Sequence, residues 1–526
     1  MTDPSLDPGL DRSLDPSLDL VEGDRVEVEV GAPAHGGHCV ARLDGRVLFV
    51  RHALPGERVT AEITERHKGY LRADAVEIHT PSADRVKPPC PYAHPGGCGG
   101  CDLQHVTSDG QLRWKAAVVE EQLRRLAGLS LSVRVEALET AILRAPLPER
   151  PVGPAPRAGA GSGSGSDPGS DPGSGSDPGS DPGSGSDPGS DPGSGSDPGS
   201  DPGSGSDPGS GSDPGSGSEP GSGSGSGSAG DEERLLGWRS RVRYAVDATG
   251  RAGLLRHRSH QVVPIDRCRI AHPAIQGLDL LGREWPEADA VEVTASSGGD
   301  LTVLTRPTGG GSLPDDDVTG GPAPAGRRER LAGPDEVVEE AAGRRWHVPP
   351  EGFWQIHPAA ADTLTATVVD LLRPAAGEIS WDLYGGAGLF AAAVTERTGA
   401  RTTLVESSPI GCAAARANLT DLPTVEVVEA RVETALQRRR VTGPVDLVVL
   451  DPPRSGAGAR VVRAIADARP RAVAYVACDP AALARDVGTF RSLGWQLTTL
   501  RSFDCFPMTQ HVECVALLEP AHRTVV

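Results

Sequence analysis

The chain has 526 residues, with 37% hydrophobic and 24% charged side chains and a formal net charge of −20 at pH 7. That length allows about three domains, and no stretch has the apolar run of a membrane span. As a sum the charge argues against a polyanionic partner, but residues 161–230 carry ten Asp, one Glu and no basic residue, which leaves about −9 for the rest. Nucleic-acid binding is decided by local basic patches rather than by the total. The candidates are Arg239-Ser240-Arg241-Val242-Arg243, Arg256-His257-Arg258 and Arg438-Arg439-Arg440.

Residues 1–19 repeat Ser-Leu-Asp-Pro, and residues 151–230, from Gly161 onward almost wholly Gly, Ser, Asp and Pro, have too little apolar surface to offset ordering entropy. Both read as disordered. The acidic N-terminus has no signal-peptide core, and nine cysteines without a disulfide framework suit a reducing compartment. The expectation is a cytoplasmic protein.

In chain order, residues 20–80 alternate over Arg25–Val30, Val47–Val50, Arg58–Ile63 and Tyr70–Val76, with Gly-rich turns between. Short strands with such turns predict an OB-like β-barrel; pattern alone fits a generic barrel as well as an RNA-binding one. Cys90, Cys98 and Cys101 follow, then an amphipathic helix over Gln111–Leu126. Beyond the insert, strand pairs lead to Cys268. Residues 81–150 and 231–305 therefore read as one α+β central domain, and 306–335 as a low-complexity loop. A long insert costs little beyond slowly growing loop-closure entropy. From 336 to 526 helices and strands alternate, which predicts an α/β domain with a mostly parallel sheet covered on both faces.

Four sets of residues carry chemistry. Asp382-Leu383-Tyr384-Gly385-Gly386-Ala387-Gly388 joins a strand to a helix, and Glu406 ends the next strand. Glycines there let a ligand approach the backbone, and the acid is placed for ribose hydroxyls. The full Gly-x-Gly-x-x-Gly of dinucleotide sites is absent, so a methyl-donor nucleoside fits better. Asp451-Pro452-Pro453-Arg454 closes another strand at the same edge; its carboxylate can accept hydrogen bonds from a cofactor or a base. Cys90, Cys98, Cys101 and Cys268 could ligate zinc or an iron–sulfur cluster; unrelated reduced thiols are the plain alternative. Cys478 lies between a strand and a helix N-terminus, where backbone N–H groups favour a thiolate, although a free cysteine is more often a buried filler. Glu513, at the start of the final strand, would supply a carboxylate base beside it.

These residues together resemble the RNA uracil-5-methyltransferase family, the tRNA and 23S rRNA 5-methyluridine enzymes that use S-adenosylmethionine. The similarity covers residues 20–150 and 231–520. It rests on Phe353-Trp354-Gln355-Ile356-His357, Asp382–Phe390, Val405-Glu406, Asp451–Arg454, Tyr475–Pro480 and Asp504–Glu513. Residues 22–80 resemble the TRAM domain, an OB-like RNA-binding barrel. The resemblance implies a Rossmann-like class I methyltransferase domain, with Gln355, Tyr384, Glu406 and Asp451 contacting S-adenosylmethionine, Cys478 as nucleophile and Glu513 as base. It implies a 4Fe-4S cluster on Cys90, Cys98, Cys101 and Cys268, as in the rRNA branch. The chain departs from the family at Gly385, where the family has Cys, and at Asp479, where it has Asn. Leu389, His357 and Arg431 depart as well. The implied partner is RNA, 23S rRNA before tRNA, with no DNA or membrane and a monomeric state. The competing readings are a non-catalytic RNA-binding or redox-sensing protein, and a methyltransferase acting on another RNA base.

Overall fold

Three runs of residues, 20–138, 235–308 and 328–521, are described by the computed structural model. The repeats at 1–19 and 151–230 lie outside them, as does most of 306–335. The alternation after residue 24 builds a closed barrel in the order β1-β2-β3-β5-β4, from β1 (Arg25–Ala34), β2 (His38–Leu43), β3 (Arg46–Arg51), β4 (Arg58–Arg66) and β5 (Tyr70–Thr80). Strand β2 is the element that alternation did not show. It is returned by the His35-Gly36-Gly37 turn, in which both glycines have positive φ, 97° and 78°. Val28, Leu48, Val59, Ile63 and Leu71 fill the barrel with a core of its own.

Helix α1 (Ser108–Gln122) is capped by Thr107, whose hydroxyl accepts from the Gly110 N–H. It is followed by β6 (Val135–Ala137). A six-stranded sheet runs β12-β11-β10-β7-β8-β9, comprising β7 (Arg241–Val246), β8 (Ala252–Leu255), β9 (Val262–Pro264), β10 (Ala288–Ala295), β11 (Leu301–Pro307) and β12 (Glu329–Ala332), with the short α2 (Pro273–Gln276) after β9. Strand β12 falls in the stretch read as a loop; it pairs with β11. A hairpin, β13 (Val337–Ala341) and β14 (Arg344–Val348), leads to the third unit.

There the strands are β15 (Ser380–Leu383), β16 (Thr402–Glu406), β17 (Val425–Glu429), β18 (Leu447–Leu450), β19 (Ala472–Ala477), β20 (Trp495–Asp504) and β21 (Glu513–Pro520). The helices are α3 (Ala360–Leu372), α4 (Leu389–Thr398), α5 (Pro409–Asn418), α6 (Val432–Gln437), α7 (Gly458–Ala468) and α8 (Pro480–Ser492). Strands β15, β18 and β19 are buried along their whole length, as expected of parallel strands covered on both faces. The sheet has eight strands in the order β17-β16-β15-β18-β19-β21-β20-β6. β21 runs antiparallel to both of its neighbours.

The eighth strand is the main departure from the expected domain boundaries. β6 comes from the segment assigned to the central domain, yet it pairs in parallel with β20, Val135 opposite Ser502. The central and C-terminal units also share one apolar core, in which Trp238, Tyr244 and Ile270 pack with Ile356, Phe503 and Val515. Among the described residues no helix is long and apolar enough to cross a membrane.

Candidate active site

Strand order places the site. β15, β16 and β17 step outward on one side while β18 and β19 step the other way, so the order reverses between β15 and β18. Ligands bind beyond the carboxyl ends of the strands at such a reversal. The register sets Leu383 opposite both Val405 and Leu450, Leu450 opposite Tyr475, and Ala477 opposite Cys514. The residues next beyond these pairs, or ending the strand, are Tyr384, Glu406, Asp451, Cys478 and Glu513, all at one edge. They line one cavity of about 850 Å³ together with Gln355, a volume in the range of small-molecule sites. All six residues expected from the sequence to act there are thus brought together.

The Glu406 side of this cavity is built by backbone. Glu406 accepts from the N–H of Gly386 at 3.0 Å with one oxygen, and from those of Ser407 and Ser408 at 2.6 Å with the other. Tyr384 holds a left-handed backbone, φ 67°, with its N–H on the Val405 carbonyl. At Gly385, where the family carries Cys, a Cβ would lie 2.5 Å from Leu404 Cγ, so Leu404 fills the space a side chain would need. The Pro452-Pro453 loop is fixed from behind: Asp486 Oδ2 accepts from the Tyr475 hydroxyl at 2.7 Å and from the N–H groups of Ala457 and Gly458.

Asp382 lies beneath the glycine turn, 1% exposed. One oxygen accepts from the Ala391 N–H at 2.8 Å, and the other has no partner. Burial, then the Ala391 hydrogen bond pulling the opposite way, then Asp451 and Glu406, leave its carboxyl raised to about 7. Asp451 is raised to about 7 by burial as well. The folded protein therefore keeps a proton that the unfolded chain has released, and the stability this gives at low pH is lost as pH rises from about 4 to about 7. We expect Asp382→Asn, which mimics the protonated form, to match the wild type in thermal midpoint below about pH 4, to lead it increasingly as pH rises, and to exceed it most at pH 8. At about 1.4 kcal/mol per pH unit, the gain is a few kcal/mol.

The side that carries Cys478 and Glu513 is set by β19 and β21. Glu513 is 3% exposed, and burial, then Asp451, push its carboxyl well above the usual range. Cys478 is also pushed up, by burial first and then by Glu513 and Asp451, with Arg454 opposing. This corrects the expectation that the helix N-terminus favours a thiolate. The N-cap of α8 is the carboxylate Asp479, and the thiol sits among acids, so desolvation and like charge outweigh the helix. A second cavity, of about 330 Å³, meets the first at Cys478 and is lined by His35, Phe49 and Arg72 of the barrel as well as Arg258 and Gln510.

The segment between β20 and β21 leads directly to Glu513, and α1 holds it in place. Buried Lys115 donates to Asp504 Oδ1 at 2.5 Å and to the Phe506 carbonyl at 3.0 Å. Gln111 accepts from the Met508 N–H at 2.8 Å. Sequence reading missed this bracket, whose ion pair spans 389 positions. Removing one partner of a buried pair leaves the other uncompensated. Lys115→Met is therefore expected to cost about 3–5 kcal/mol, measured by denaturant unfolding.

Two other expected features divide. Arg241 bonds Glu339 and the Gly352 carbonyl, and Arg243 bonds Glu292. The 239–243 run is therefore internal structure, not a surface patch. Cys90, Cys98, Cys101 and Cys268 line one cavity with Arg239 and Arg269 and without any acid. Gly99 brings the first loop there, donating to the Leu255 carbonyl at 3.0 Å; a Cβ on it would meet the His257 backbone at 2.5 Å. Among the described residues no group of three His, Cys, Asp or Glu is arranged to hold a single metal ion. The donor set, all thiol with arginines around it, fits an anionic thiolate-ligated cluster better than a lone hard ion.

Comparison with known proteins decides the family. A model described as tRNA (Uracil-5-)-methyltransferase matches residues 353–521, and one described as TRAM domain matches residues 20–76. An uncharacterised RNA methyltransferase of Streptomyces avermitilis is 42% identical, over 95% of this chain and 99% of its own. Another from Streptomyces coelicolor is 41% identical, over 95% of this chain and 94% of its own. The chain belongs to the RNA uracil-5-methyltransferase family. Among solved structures, the Pyrococcus abyssi tRNA (uracil-54, C5)-methyltransferase in complex with S-adenosyl-L-homocysteine matches with a TM-score of 0.56, covering 93% of this chain and 99% of that one. At 20% identity this is a likeness of fold: a TRAM barrel and a class I methyltransferase domain. As a member of the family, the protein is an S-adenosylmethionine-dependent RNA methyltransferase. Its departures fall at defined places. His357 is buried and stacks on Trp238 with ring centroids 6.1 Å apart, Arg431 stands at the N-cap position of α6 without a side-chain capping bond and lines the main cavity, and Asp479 bonds His35 of the barrel at 2.9 Å.

Proposed function

We propose that this methyltransferase converts a specific uridine in RNA, in 23S rRNA before tRNA, to 5-methyluridine through a covalent adduct with Cys478. The observation that carries the reading is Cys478 and Glu513 on adjacent antiparallel strand ends, lining one cavity with Gln355, Tyr384, Glu406 and Asp451. Those four would contact S-adenosylmethionine, which supplies the methyl group when bound.

Carbon 5 of uracil is a poor nucleophile until a group adds at carbon 6. The Cys478 sulfur forms that bond, and the electron pair released onto the ring makes carbon 5 nucleophilic. After carbon 5 has been methylated, Glu513 takes its proton, the ring double bond reforms and the carbon–sulfur bond breaks. The thiol, raised by burial and neighbouring acids, is a minor thiolate in the resting enzyme, so turnover is expected to rise with pH. The target base must leave its stack to reach Cys478, at a cost of a few kcal/mol. The second cavity, shared with the barrel, is the side from which it would enter.

Cys90, Cys98, Cys101 and Cys268 would hold a 4Fe-4S cluster, fastening the 90–101 loop to Cys268; no step of the reaction is assigned to it. The protein would work in the cytoplasm as a monomer. Nucleoside mass spectrometry of RNA from a strain lacking the protein tests the proposal. Loss of one 5-methyluridine from 23S rRNA is expected, loss from tRNA would reassign the substrate, and an unchanged 5-methyluridine content in both would overturn the proposal.

A further inference from the structure

We infer that His35, on the turn between β1 and β2 of the barrel, is a positioning residue for methyl transfer: it offsets the Asp479 carboxylate beside the Cys478 thiol and fastens the barrel to the loop that carries that thiol. The inference rests on the proposed role of Cys478.

Three observations support it. His35 Nε2 donates to Asp479 Oδ2 at 2.9 Å, across 444 positions of sequence. The other oxygen of Asp479 accepts from the Ala482 N–H at 2.7 Å and caps α8. Asn caps a helix as well as Asp does, so capping alone does not account for an acid at this position. The charge is the difference, and it acts on the reaction. Burial first, then Glu513 and Asp451, push the Cys478 thiol up, Arg454 opposes, and Asp479 adds a smaller upward push from the adjacent position. Asp479 itself is raised by burial, but the hydrogen bond and charge of His35, the Ala482 N–H and Arg485 outweigh this and hold it below the usual carboxylate range. An anion therefore stands next to the attacking sulfur, and His35 is its side-chain hydrogen-bond partner.

The remaining charged and titratable groups around the shared cavity do not take this place. His38 is pushed down to about 2 by burial and by Arg51 and Arg72. His511 is pushed far down by burial and Arg454. Arg72 contacts Glu65 and His38, and Arg258 lies at the edge of contact with Glu65. His35 thus joins the barrel to the nucleophile loop by a direct hydrogen bond.

The test is the rate of iodoacetamide labelling of Cys478 against pH, resolved by peptide mass spectrometry in the full-length protein. It is run on the wild type, H35Q, D479N and the double variant, with kcat and KM for RNA measured on the same four. H35Q is expected to slow labelling near neutral pH by about 3–10-fold, the equivalent of up to one unit in the thiol's apparent pKa, and to lower kcat by a similar factor. D479N keeps the cap, and in its background H35Q should change labelling and kcat by less than about 2-fold. Equal slowing by H35Q in both backgrounds would overturn the inference. So would unchanged labelling with only KM for RNA raised, the mark of a barrel that merely binds substrate. Labelling needs no turnover, so this result stands apart from failure of the nucleophile assignment, which would show as methylation retained by C478A.

Discussion

Cys478→Ala is expected to lower 5-methyluridine formation by at least about 10⁴-fold, the scale on which nucleophile deletions act. Binding of S-adenosylmethionine should change by less than about 2-fold, because uniform binding and chemistry are separable. The reason is chemical: without addition at carbon 6, carbon 5 has no electron density to offer, and no other group at the sheet edge replaces a sulfur nucleophile. The remaining lining residues Glu406, Asp451 and Gln355 keep their places. Cys478 is only intermediate in burial, so loss of its sulfur leaves little cavity cost. Isotope transfer to RNA and a cofactor titration on the same preparation check both halves.

The second large effect is expected at Glu513. Glu513→Gln should lower turnover by about 10²–10⁴-fold, the usual range for a general base, but leave addition and methylation intact. The adduct then keeps its carbon-5 proton and cannot eliminate, so a denaturation-resistant protein–RNA complex should build up on ordinary uridine RNA, which C478A cannot form. The pH dependence has a defined sign. Burial and Asp451 raise the Glu513 carboxyl, and only the ionised form accepts a proton, so wild-type turnover falls on the acid side of a raised carboxyl. The variant should lose the carboxyl's share of that fall and keep only the rise with pH that the Cys478 thiol gives. Gel analysis of the complex and rates across pH check these outcomes.

Part of the edge of the C-terminal sheet was legible because two of its residues directly follow strands whose apolar run is continuous. Leu447–Leu450 and Ala472–Ala477 are such runs, and Asp451 and Cys478 each follow at the next position. In a parallel sheet all these ends meet at one edge, so local patterns sufficed. The features that were missed depend on partners far away in sequence. β6 is three residues long and gains its identity from β20. Lys115 looks like a surface helix lysine until Asp504 and Phe506 are placed over it. The Arg239–Arg243 run looks like a nucleic-acid patch because sequence does not reveal that Glu339 and Glu292 lie opposite Arg241 and Arg243. Asp479 was visible as a departure from the family, but its partner His35 lies on the turn of another unit, which no local pattern links to it. The thiolate expectation failed for the same reason: helix position is local, whereas the acids around Cys478 converge from two strand ends and a cap.

The covalent step is tested most directly by incubating the full-length protein with S-adenosylmethionine and RNA carrying 5-fluorouridine at the target position, then mapping the product by peptide mass spectrometry. Fluorine at carbon 5 cannot leave as a proton, so the adduct should persist, with a methylated fluorouridine attached to the peptide containing Cys478. Attachment at another cysteine, or RNA modified at a position other than uracil carbon 5 with no attached protein, would contradict the mechanism.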